Sequence, residues 1–67
     1  MNEIEAFLQK IEQFIVTNGM SASNFGHKFA NDPLFVFQVR DGREPRLKTR
    51  SRILKNMEND QTEGRAA

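Results

Sequence analysis

The chain contains no cysteine, which removes disulfides, thiolate catalysis and cysteine-ligated zinc together and fits a reducing, cytoplasmic setting. Tryptophan and tyrosine are also absent, so the six phenylalanines and the aliphatic residues must supply the core. The longest uninterrupted apolar run is Leu34 to Phe37, far short of the roughly 20 residues that a membrane span needs. The start, Met1-Asn2-Glu3-Ile4-Glu5, is acidic where an export signal carries a basic segment, so no signal peptide is expected. At 67 residues the chain has room for one small domain, expected over residues 1–58. Residues 59–67 lack apolar periodicity and are expected to form a flexible tail.

Charge is nearly balanced overall, at a formal +1, but it is unevenly placed. Residues 1–37 carry four acids and two bases. Over residues 40–55, Arg40, Arg43, Arg46, Lys48, Arg50, Arg52 and Lys55 stand against only Asp41 and Glu44. A local excess of this kind suits either a solvated helix face or contact with phosphates.

Ile4, Phe7, Leu8, Ile11, Phe14 and Ile15 recur at helical spacing, which predicts an amphipathic helix over about 3–17, stopped by Asn18-Gly19. Ser21 is placed to cap a second, short helix running to about Ala30. That helix would bury Phe25 and Phe29 and let another backbone approach at Gly26. Asn31-Asp32-Pro33 then gives an Asp cap followed by Pro at the first helical position, and Asp41-Gly42 gives a stop, so a third helix is expected between them. The segment 34–39 also has strand propensity with Asp-Gly as a hairpin turn, although Pro45 would confine the return strand to a sheet edge. Leu47, Ile53, Leu54 and Met57 fit a last helix beginning within 46–50, with Thr49 a candidate cap and Arg50, Arg52 and Lys55 on its outer face. The fold expected is all-α: a compact bundle of four to five short helices.

Two short helices joined by a tight turn, the second ending at Gly42 and followed by a basic loop, have the layout of a helix-turn-helix at about 21–42. Three stretches carry a more specific pattern: Phe25-Gly26, Asp32-Pro33-Leu34-Phe35-Val36 and Arg40-Asp41-Gly42-Arg43-Glu44-Pro45. With them the chain resembles, over about residues 20–57, the small phage repressor and Cro type of helix-turn-helix protein. It resembles more loosely short bacterial and phage proteins with a Phe-Gly, Asp-Pro-x-Phe-Val, Arg-x-Gly-Arg-x-Pro pattern. The resemblance implies a DNA-binding transcriptional regulator whose residues 33–41 enter the major groove. Leu34 and Gln38 then match base-reading positions, and a Gln amide suits adenine N6 and N7. Ser21, Asn31, Arg43, Arg46 and Lys48 match positions near phosphates, with five to seven such contacts giving a log–log salt slope of about −4 to −6. Ala22 stands where that family often has Gln.

Four consecutive apolar residues on a helix cannot all face one core, so Leu34 and Phe37 are expected at the surface, as a contact for thymine methyls, a homodimer seam or a protein-binding face of an adaptor. His27 is the only histidine and has no metal-ligand spacing around it. Ser21 or Ser23 with His27 and Asp32 supplies the residue types of a triad, but a chain this small can hardly enclose a pocket and oxyanion hole, so no enzyme is expected. The four glycines form no phosphate-cradling motif. The expected partner is double-stranded DNA, with no cofactor, no metal, no membrane and no small-molecule substrate.

Overall fold

Asn2 sets the first helix: its side-chain oxygen accepts the Glu5 N–H at 2.8 Å, satisfying a donor that the helix start leaves unpaired. In a computed structural model that describes residues 2–66, and side chains as far as Asp60, helix α1 spans Glu3–Asn18. It ends at Gly19, whose φ of 61° is the left-handed conformation and whose N–H bonds back to the Ile15 and Val16 carbonyls. Phe7, Ile11 and Phe14 form its buried face, with Ile4, Leu8 and Ile15 flanking, as the periodicity predicts.

Ser21 caps the next segment as expected, accepting the Asn24 N–H at 3.1 Å. Helix α2 (Ala22–Phe25) runs directly into a π-helical turn, Gly26–Ala30, where a uniform short helix is predicted. The widening has a backbone cause, because the Gly26 carbonyl accepts the N–H of both Asn31 and Asp32. Gly26 is buried against the next turn. A Cβ built there would lie 2.3 Å from the Asp32 carbonyl oxygen, so only glycine permits this crossing.

Helix α3 spans Phe35–Arg40, shorter than the 33–41 expected. Asp32 caps it at one remove: its side chain accepts the Leu34 N–H at 3.0 Å and its carbonyl accepts the Phe35 N–H at 3.0 Å. Pro33 and Leu34 therefore form a hydrogen-bonded turn rather than the first helical residues. The four-residue apolar run divides as its spacing requires. Phe35 and Val36, with Val39 one turn on, are buried, whereas Leu34 and Phe37 are 57% and 44% exposed. No strand occurs among the described residues.

Helix α4 spans Leu47–Ala66, 20 residues and hence not short. The Arg46 carbonyl accepts the Arg50 N–H, so the helix begins before Thr49, which is an interior position and not its cap. Lys48 stands in its first turn. The helix continues through Asn59 and Asp60, residues assigned from sequence to the tail; Ala67 and the side chains after Asp60 lie outside the described residues. Ile53 and Met57 face the core, but Leu47 is 67% exposed: six residues before Ile53, it lies about 120° round the helix from it.

Every element contributes to one cluster of ten buried residues. Phe14 meets Phe25 and Phe29 edge-on at centroid distances of 5.8 and 5.4 Å, and Phe7 meets Phe35 at 6.2 Å. Such pairs add about 0.5–1.5 kcal/mol each beyond the area they bury. The radius of gyration, 11.5 Å, is close to the roughly 11 Å of a compact chain of this length. The described residues form a compact all-α bundle of four helices. Among the described residues no helix is long and apolar enough to cross a membrane.

Candidate nucleic-acid interface

The seven bases of residues 40–55 fall into two groups once the tertiary structure places them. Arg40 reaches across from α3 to α1 and donates to both carboxylate oxygens of Glu12, at 2.7 and 2.6 Å. These hydrogen bonds hold the Glu12 carboxyl below its ordinary range against the opposing effect of partial burial, and the Arg40 charge lowers it further. The same bonds raise the Arg40 guanidinium above its usual value. Arg50 is not on the outer face expected of it. Its side chain is only 12% exposed, donating to the Pro45 carbonyl at 3.4 Å and to Glu3 at 3.3 Å. Arg43 is likewise engaged, donating to the Gln38 amide oxygen at 2.5 Å and standing 3.7 Å from Asp32.

The other four, Arg46, Lys48, Arg52 and Lys55, are exposed and make no ion pair among the described residues. Lys48, Arg52 and Lys55 recur at four- and three-residue intervals on α4, which puts them on one helical face. Arg46 precedes them in the loop. Sequence reading identifies the basic cluster but not this division, because Glu12 and Glu3 lie 28 and 47 residues from their partners.

Leu34, Phe37 and Gln38 share the solvent-facing side of α3 and its preceding turn, at intervals of three and four residues. The Arg40 guanidinium lies over the Phe37 ring, 5.6 Å from its centroid. Ser21 and Asn31 are exposed, but both have structural employment. The Ser21 hydroxyl caps α2, and Asn31, at φ 56°, ends the π-helical turn in the left-handed conformation. Asn tolerates that conformation better than most residues.

Among the described residues no hydrogen bond joins His27 to Ser21, Ser23 or Asp32, and Asp32 is occupied by the Leu34 N–H and Arg43. Nor does any group of three or more His, Asp or Glu side chains among them have the arrangement of a metal site. Comparison with protein-family models, with curated proteins and with solved structures gives no match to this chain.

Proposed function

We propose that the chain is a small DNA-binding regulator. In this reading α2 with its π-helical turn and α3 act as a helix-turn-helix of the phage repressor and Cro type. The exposed side of α3 enters the major groove, with Leu34 and Gln38 toward base edges. The unpaired cations of the following loop and α4 lie along the phosphates.

The observation that carries the proposal is the set of four exposed bases, Arg46, Lys48, Arg52 and Lys55, without an ion-pair partner among the described residues. Seven bases within sixteen residues would be unremarkable if every one had an internal carboxylate. Four left without an ion-pair partner among the described residues, directly after a helix with one solvent-facing side, supply the electrostatic footprint that a polyanion requires.

The test is a fluorescence-anisotropy titration of random duplex DNA at about 50 and 200 mM salt. Four phosphate contacts give a log–log slope of about −3.6 for one subunit, or about 150-fold weaker binding across that range. Absence of binding at the lower salt, or binding indifferent to salt, would overturn the proposal.

A second reading is favoured by a different observation, the exposure of Leu34 and Phe37. In it the bundle is a protein-binding adaptor or homodimer that covers those side chains. Such binding would survive high salt and be abolished by Leu34→Asp.

A further inference from the structure

Gln38 and Arg43 form one recognition unit on the flank of α3, and the backbone explains why. Asp41 ends the helix and Gly42 follows at φ 110°. The Gly42 N–H bonds to the Val39 carbonyl at 3.1 Å and the Arg43 N–H to the Gln38 carbonyl at 2.9 Å, which is the paired hydrogen bonding of a Schellman stop. That motif places the side chain two positions beyond the cap against the one three positions before it. Those positions are usually both apolar. Here they are Arg43 and Gln38.

The Arg43 side chain runs back along α3, its guanidinium 5.3 Å from the centroid of the Phe35 ring and 3.7 Å from Asp32, and donates to Gln38 Oε1. A guanidinium has only donors, so the amide must turn its oxygen inward and its Nε2 hydrogens away. This changes what Gln38 can read. A free Gln offers an acceptor beside a donor, which matches adenine N6 and N7. With one lone pair of its oxygen taken by Arg43, the pair offers mainly donors, from the amide nitrogen and the remaining guanidinium N–H groups. Two adjacent donors match the guanine edge, where O6 and N7 both accept.

A phosphate also accepts only, but Asp32 argues against it. The carboxylate offsets the Arg43 charge and opposes a second anion at the same place. The unpaired Arg46 and Lys48 are better suited to the backbone. We infer that Gln38 and Arg43 together read a guanine in the major groove, Arg43 serving as a specificity determinant and not as a backbone anchor. The inference rests on the DNA-binding reading above.

The test is selection of sites from a randomised duplex pool by the wild-type protein, Gln38→Ala and Arg43→Lys, with random-duplex affinity measured in parallel at about 50 mM salt. The wild type is expected to fix a guanine whose replacement by adenine weakens binding about 5- to 150-fold. Replacing it with 7-deazaguanine, which lacks the N7 acceptor and leaves the protein unaltered, is expected to weaken binding also. Gln38→Ala should lose this preference and Arg43→Lys should weaken it, each losing more affinity on the selected guanine-containing site than on random duplex. Selection of adenine at the position lost in Gln38→Ala would overturn the inference. So would indifference to 7-deazaguanine, or an equal loss on all sequences in Arg43→Lys. Each of these leaves DNA binding itself standing. Absence of binding to any duplex at the lower salt would overturn both.

Discussion

Gly26→Ala sets two physical effects against each other and so tests the crossing between α2 and the turn before α3. Gly26 has φ −60° and ψ −43°, an ordinary helical conformation in which alanine is favoured over glycine by about 1 kcal/mol. On local grounds the substitution should therefore stabilise the protein. The tertiary structure reverses the sign. The new methyl carbon would stand 2.3 Å from the Asp32 carbonyl oxygen and 3.3 Å from carbonyl carbons of Asp32 and Pro33. All three are backbone atoms, which cannot rotate aside. Relief requires the turn to withdraw by nearly an ångström, and that movement strains the 3.0 Å hydrogen bond from the Asp32 N–H to the Gly26 carbonyl.

Overpacking of this kind costs about 1–3 kcal/mol and a weakened hydrogen bond about 0.5–1.5 kcal/mol. After the gain in propensity is subtracted, a net loss of about 1–3 kcal/mol remains. For a domain of this size that lowers Tm by roughly 4–24 °C. Urea and thermal denaturation followed by far-ultraviolet circular dichroism would read it, the chain having no tryptophan or tyrosine for fluorescence. An unchanged or raised Tm would refute the close approach at Gly26.

Replacing Arg46 and Lys48 together by alanine removes two of the four cations of residues 40–55 that have no ion-pair partner among the described residues. The salt slope should fall from about −3.6 to about −1.8, measured by the same anisotropy titration, and an unchanged slope would remove both residues from the interface. Glu12→Gln breaks the contact with Arg40 and should destabilise the fold at pH 7 by about 0.2–1 kcal/mol, since both side chains are partly solvated. Because the folded-state Glu12 carboxyl is depressed, its contribution is present above the unfolded value of about 4.3 and lost as the pH falls through the folded one. The acid limb of the stability curve should accordingly be shallower in the variant than in the wild type. Leu34→Asp should leave Tm within a few degrees, the side chain being exposed, while lowering DNA affinity by placing an anion beside the groove. A Tm loss as large as that of a core truncation would mean that Leu34 is packed.

Local chemistry was legible in the sequence wherever its cause is local. Gly19, Ser21 and Gly42 occupy the conformations or caps that their residue types predict, and the division of residues 34–37 into buried and exposed pairs follows from the helical period. Gly26 was readable as a point of close approach, though not the π-helical turn that follows it, which depends on where Asp32 returns to meet its carbonyl. The last helix was harder to place. Its apolar residues fix its phase but not its start, so Leu47 groups with Ile53, Leu54 and Met57, and Thr49 fits as a candidate cap. The charged surface was least legible. Which cations stay unpaired is decided by carboxylates on α1 and in the turn before α3. Residue type alone therefore could not separate Arg40 and Arg50 from Arg46 and Lys48.

The crossing of α2 and α3 is held by main-chain atoms, those of Gly26 and Asp32, and by side chains that point inward. Leu34, Phe37 and Gln38 take no part in it through their side chains. The outer surface of α3 can therefore be rewritten separately from the scaffold that presents it. A combinatorial library randomised at these three positions should consist largely of folded members, so differences in what they bind would report on recognition and not on stability.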